Sequence, residues 1–126
     1  MNVPKELKYT TDHEWLKVEG NFGYVGITDY AQSELGDIVF IDVDPDLDEV
    51  VKDEPFGTIE AVKTVSDLLA PVSGKVVELN PKLEDEPQLV NTDPYGDGWI
   101  IKIELEDLDS VNTLLSAEDY TKQIGG

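Results

Sequence analysis

The feature that most restricts the fold is a succession of short stretches in which apolar and polar residues alternate. Trp99, Ile101, Ile103 and Leu105 alternate with Ile100, Lys102, Glu104 and Glu106, and Val39, Ile41 and Val43 alternate with Phe40, Asp42 and Asp44. A period of two puts each set of side chains on its own face of an extended segment, so these stretches read as half-buried strands. Further strands are expected at 14–18, 22–27, 57–62, 65–69 and 75–79, separated by turn formers at Gly20-Asn21, Pro45-Asp46, Pro71 to Gly74 and Gly96-Asp97-Gly98. About seven short strands at this spacing indicate a small sandwich or barrel.

Two helical pieces interrupt the pattern. The first is expected to begin at Asp29, which with Gln32 has the spacing of a capping box, and to stop at Gly36, a residue suited to a left-handed cap. The second is C-terminal, over about residues 109–124: Val111, Leu114 and Leu115 form an apolar stripe, Ser116 with Asp119 resembles an N-cap, and Tyr120 and Ile124 continue one face to Gly125. Pro81 to Pro87, with Glu84, Asp85 and Glu86, reads as a solvated loop or a single helical turn. No repeat or linker divides the chain, and its 126 residues suit one domain, 1–126.

Composition narrows the function. Asp and Glu number 28 against 9 Lys with no Arg, a net charge of -19, which repels phosphate backbones and anionic headgroups and argues against nucleic acid and membrane partners. There is no Cys and a single histidine, His13. Thiol nucleophiles, disulfides, multi-histidine metal sites and arginine clamps are therefore excluded. The first residues, Met1 to Glu6, show no apolar or Arg-rich targeting segment, and no run of eighteen apolar residues occurs. A cytoplasmic protein is the expectation. A chain so poor in reactive groups is expected to work through something attached to it.

Residues 57–80 are the most informative stretch. Two strands meet at Val62-Lys63-Thr64, a tip without the Gly, Asn or Asp of a tight hairpin. Departures from local turn rules are expected where a site is served. What this tip presents is one lysine, Lys63, open to an enzyme that must acylate one amine among nine. By itself Glu14 reads as a strand-edge surface carboxylate, and Asp67 as a turn-stabilising side chain. His13 most simply satisfies a backbone group, and Trp15, Tyr95 and Trp99 read as core or core-rim aromatics.

Glu60-Ala61-Val62-Lys63-Thr64, followed by Ser66-Asp67 and by Ala70-Pro71-Val72-Ser73-Gly74-Lys75-Val76, resembles the lipoylation segment of the glycine cleavage system H proteins. His13-Glu14-Trp15, the run from Val25 to Gln32, Leu35-Gly36-Asp37-Ile38-Val39 and Pro94 to Ile100 resemble that family's other signatures, in its order and spacing. The resemblance implies a lipoyl/biotinyl-carrier type of fold, a mainly β barrel-sandwich hybrid with a short internal helix and C-terminal helices. It implies lipoate in amide linkage on Lys63 and a role as carrier rather than enzyme. Such a carrier takes the aminomethyl group of glycine from the pyridoxal-phosphate glycine decarboxylase (P protein) to the tetrahydrofolate-dependent aminomethyltransferase (T protein). Dihydrolipoamide dehydrogenase (L protein) then reoxidises the arm, and a separate lipoate-attaching enzyme installs it. Lysine stem and lipoyl chain together reach roughly 14 Å from the Lys63 Cα, far enough to enter a partner or fold back on the carrier. The family positions that hold a loaded arm correspond to Glu14 and Asp67, and to Asp12 where the family usually has a small hydroxyl residue.

Biotin carriers set the target lysine between methionines, whereas Val62 and Thr64 flank Lys63 and the only methionine is Met1. Lipoyl domains of 2-oxo acid dehydrogenases typically have Asp before the lysine and lack the C-terminal helices expected here. A lipoate relay to other proteins, a lipoyl domain serving another complex and an unmodified acidic interaction module are the alternatives.

Overall fold

The computed structural model describes residues 2–125. Among the described residues there are nine strands: β1 (Lys8–Tyr9), β2 (Glu14–Glu19), β3 (Phe22–Ile27), β4 (Ile38–Asp42), β5 (Glu49–Val50), β6 (Pro55–Ala61), β7 (Val65–Leu69), β8 (Gly74–Leu79) and β9 (Ile101–Leu105). They pair antiparallel in two open sheets, one of six strands in the order β1-β2-β3-β9-β8-β5 and one of three in the order β4-β6-β7. The expected mainly β class holds, as two sheets that do not close. The strands with a clear period of two fall where expected; β1 and β5, two residues each, are too short to show a period and were not anticipated.

One apolar cluster joins the sheets, with Leu16, Val25, Ile101 and Ile103 from the larger and Ile38, Ile59 and Leu68 from the smaller. Burial of a side chain of this size is worth about 1.5–3 kcal/mol, so this layer holds the two sheets face to face. Strand β2 is buried on both faces at its start, because Leu16 enters this core while Trp15 enters a second cluster with Leu7, Tyr9, Ala117 and Tyr120. Trp15 lies across Gly26, its cross-strand partner, where a Cβ would come within 2.7 Å of the indole. Helix α4 (Ala117–Gln123), capped by Ser116 through the Asp119 N–H as expected, supplies Ala117 and Tyr120 to the second cluster. Tyr120 stacks on Tyr9 with ring centroids 4.8 Å apart. Ahead of α4 lies a 3-10 helix, Leu108–Thr113, but Leu114 and Leu115, expected on a helical stripe, are extended instead, and Leu115 exchanges backbone hydrogen bonds with Tyr9 at 2.8 and 2.9 Å.

Two expectations are corrected. Helix α1 (Asp29–Leu35) is capped by Thr28, not Asp29: the Thr28 hydroxyl accepts from the Ala31 N–H, while Asp29 instead accepts from the Gln32 side-chain amide at 2.8 Å. In β4 the alternation slips, since Ile38 opposes Ala61 and Phe40 opposes Glu60, leaving Val39 as the extra residue of a bulge. Val39 is thus 51% exposed where the alternation places it inside, and Ile38 takes the buried position. Pro81 to Pro87 contains a single helical turn, α2 (Lys82–Asp85), the second of the two readings, with Leu83 buried beneath it. A further turn, α3 (Leu89–Thr92), has no signal in the sequence reading.

Candidate functional site

Lys63 is exposed at the turn between β6 and β7. The turn is closed by the Ala61 N–H donating to the Thr64 carbonyl at 2.8 Å and is braced from outside by the Val62 N–H donating to the Asp37 carbonyl at 3.0 Å. That second bond replaces the turn chemistry missing from the local sequence. Asp37 is itself fixed by what precedes it. Gly36 ends α1 at φ +83°, a left-handed conformation that strains any residue with a Cβ. Asn91 donates to the Gly36 carbonyl and to the Gln32 side chain, both at 2.9 Å, and accepts from the Ile38 N–H at 2.8 Å. The Lys63 stem lies over Gly36, where a Cβ would stand 3.2 Å from Cε. The absent side chain leaves the space that the lysine occupies.

Beside this turn is a cleft of about 290 Å³. One wall is the loop carrying Asp12 and His13 with Glu14 at the start of β2; α1 supplies a second through Tyr30, Ala31, Glu34 and Leu35; Ser66, Asp67 and Leu68 of β7 supply a third, over Ile27 and Ile59. The structure therefore brings Glu14, Asp67 and Asp12 to one cavity, with Lys63 next to it rather than among its lining residues. Asp12 and Asp67 are exposed. Pairing sets Asp67 opposite Thr58, and Ser66 opposite Ile59, so Asp67 belongs to the outer face of β7 and stands at the rim, while Ser66 shares the inward face.

Glu14 is only 3% exposed. Burial raises its carboxyl from 4.5 to about 8; the neighbouring Asp12 and Asp53 carboxylates add to the rise, and the Thr10 hydroxyl opposes it. Thr10, which sequence reasoning missed, organises this wall. Its hydroxyl donates to Glu14 Oε1 at 2.9 Å and accepts from the Asp12 and Glu14 N–H groups at 3.2 and 3.1 Å. The four-residue spacing from Thr10 to Glu14 is the only signal in the sequence, and it is a weak one. His13 sits between them at φ +69°, a conformation costly for a residue with a Cβ. Its Nδ1 meets the Tyr120 hydroxyl at 2.9 Å, not a backbone group, and that hydroxyl also meets Thr28 Oγ1 at 2.7 Å. Burial pulls the imidazole below its usual range, against the pull of Asp12 and Glu34. The cleft thus presents four carboxyl groups and a histidine biased toward neutrality against walls of Ile, Leu and Ala. A small cation with an apolar stem is the ligand such a lining favours.

A second cleft, about 320 Å³, is lined by Ile41, Leu79, Leu83 and Ile100 among others and shares no residue with the first; its carboxylates, Asp42 and Glu84, are exposed. Among the described residues no group of three or more His, Asp or Glu side chains is placed to hold a metal ion, and no helix is long and apolar enough to cross a membrane.

A family model described as glycine cleavage H-protein matches residues 7–125. The chain belongs to the glycine cleavage H-protein family. It also matches the crystal structure of a glycine cleavage system H protein from Mycobacterium marinum with a TM-score of 0.88 and 40% sequence identity, covering 98% of this chain and 100% of the other. The open two-sheet architecture is thus that of an H protein. Members of this family are carrier components of the glycine cleavage system.

Proposed function

We propose that Lys63 carries lipoate in amide linkage and that the chain, as one unit over residues 1–126, transports the aminomethyl group of glycine from the P protein to the T protein, with dihydrolipoamide dehydrogenase restoring the arm. The observation that carries this reading is the placement of one exposed lysine at a braced turn, with its stem over Gly36, beside a cleft holding a buried carboxyl. The residues fit the group: Nζ is free to be acylated, Gly36 leaves room for the stem, and Ile27, Ala31, Leu35, Ile59 and Leu68 offer apolar cover. Bound lipoate supplies the redox-active sulfur pair that the chain lacks.

The chain's own residues then act as holder and shield. Glu14, ionised in the presence of a cationic cargo, accepts its ammonium protons, and Thr10 keeps that carboxyl oriented. Asp67 at the rim and Asp12 on the loop add negative potential without being buried themselves. The apolar walls exclude water, which would otherwise hydrolyse the cargo. Dispersed acidity favours approach by basic docking sites on the partner enzymes.

Intact-mass spectrometry of protein from a lipoylating host tests the assignment. A single lipoyl increment is expected in the wild type and none in Lys63→Ala, and modified protein is expected to support glycine–bicarbonate exchange by a P protein. An unmodified wild type, or an increment that survives Lys63→Ala, would overturn the reading.

A further inference from the structure

The sheet of β4, β6 and β7 turns one face to the core and one to solvent, and its register arranges the solvent face in rows. Phe40, Glu60 and Val65 stand opposite one another in the row nearer the Lys63 turn, and Asp42, Thr58 and Asp67 in the row behind. The bulge in β4 leaves Val39 exposed next to Phe40, and Val62 follows at the turn itself. Val39, Phe40, Val62 and Val65 are 51%, 46%, 75% and 60% exposed. Single exposed apolar side chains need no explanation, but four of them around the one lysine that the fold presents at a tip form a patch. The two rows are two residues apart along each strand, about 7 Å. The face beside Lys63 is therefore apolar except for the half-buried Glu60 between Phe40 and Val65, and it is acidic one step behind.

Enzymes that use a loaded arm are reached by it. The enzyme that makes the amide has no such latitude, since it must bring its active site to Nζ and choose Lys63 among nine lysines. In that step Nζ gives up a proton to expose its lone pair and attacks the carbonyl carbon of an acyl adenylate, which the enzyme makes from the free acid and ATP. The C–N bond forms, the C–O bond to AMP breaks, and a second proton leaves as the amide is completed.

We propose that the row of Phe40, Glu60 and Val65, extended by Val39 and Val62 and backed by Asp42, is the docking surface for this acylating enzyme. The enzyme meets it with apolar side chains set about 7 Å ahead of Lys or Arg. A second copy of this chain is a poor occupant, because two surfaces at a net charge of -19 repel. The inference rests on Lys63 being the lipoylated residue.

The test is acylation of the purified apo-protein by a lipoate–protein ligase with ATP and lipoate, followed by intact mass as a function of carrier concentration. The double variant Val39→Ser/Phe40→Ser, and separately Val65→Ser from the opposite edge strand, should raise KM about tenfold or more and leave kcat within about twofold, the pattern of lost ground-state binding. Asp42→Lys should raise KM at low salt, with the effect fading near 0.5 M as charges are screened. Val18→Ser, equally on the surface but on the larger sheet, should change nothing. Thermal melts establish that each variant is folded, and Val65→Ser alone decides by the same criterion if the double variant is not. KM values within about twofold of wild type for the folded patch variants would remove the docking surface and leave the Lys63 assignment standing. A wild type that gains no mass at Lys63 would instead remove the assignment and the docking surface together.

Discussion

Replacing Glu14 by Gln should make the protein more stable in alkali and a poorer carrier. Glu14 is buried with its Oε1 accepting from Thr10 at 2.9 Å, and its carboxyl is raised from 4.5 to about 8. Between those values the folded state holds a proton that the unfolded chain has released, so stability falls as pH rises. The slope is about 1.4 kcal/mol per pH unit, and across the interval the loss is on the order of 5 kcal/mol, a large part of the roughly 5–15 kcal/mol of an ordinary domain. Gln keeps an oxygen to accept from Thr10 and never ionises, so it escapes the loss.

The assay is urea unfolding of wild type and Glu14→Gln at constant ionic strength from pH 5 to pH 9. His13 titrates within the same range in the opposite sense, because its pKa is lowered by burial, so its contribution to stability grows as pH rises through the usual histidine range. Taking the difference between the two proteins at each pH removes most of that background. The difference should be near zero at pH 5, widen in favour of Glu14→Gln from about pH 5 upward, and level off above pH 8 at several kcal/mol. Parallel curves over the whole range would refute the burial argument, as would a carboxyl resonance of Glu14 titrating near 4.5. Loss of cargo retention in the same variant would show that the destabilising charge is kept for its function.

Gly36→Ala should cost about 1–2 kcal/mol from its φ of +83° and slow acylation as well, since the added Cβ would stand 3.2 Å from Lys63 Cε; denaturant unfolding and the rate of mass gain read the two effects separately. Asn91→Ala removes the partner of the Gly36 carbonyl, the Gln32 side chain and the Ile38 N–H, with an expected loss of about 2–3 kcal/mol by urea unfolding and faster hydrogen exchange at Ile38 and Val62. Tyr120→Phe deletes the hydroxyl shared by His13 Nδ1 and Thr28 Oγ1, and should cost about 1–2 kcal/mol while shifting the His13 ring resonances in NMR spectra.

Strands such as β3 and β9 could be read directly because a period of two survives wherever one face is buried. The failures have local causes. Thr28 and Asp29 are both competent caps, and only the tertiary contact of Thr28 with Tyr120, ninety-two positions away in sequence, selects the first. The alternation of Ile41 with Val43 was real, but a bulge shifts its phase before Phe40, and no residue type announces a bulge. The exposed position of Lys63 at the β6–β7 turn was legible because a turn without turn residues is visible in five residues of sequence. The cleft was not legible in that way, since its walls come from residues 12–14, 27–35 and 59–68, which only the fold brings together.

Those separations also explain why the net charge is a poor guide to the site. Of 28 acidic side chains, Glu14 is the one buried among the described residues, so it differs from the others by its surroundings and not by its type. An exposed carboxylate is solvated at little cost and holds a cation weakly, because water screens the pair. A carboxyl already stripped of water pays that cost in the folding of the chain, which is the stability loss measured by Glu14→Gln; raised to about 8 it is protonated near neutrality, so a cation that enters the cleft displaces that proton and then pairs with a charge it need not desolvate. The overall acidity could therefore be reduced by neutralising exposed residues such as Asp44 or Asp46 with small effect on cargo retention, whereas the single change at Glu14 removes it; equal losses from both kinds of variant would show that general field, not the buried group, does the holding.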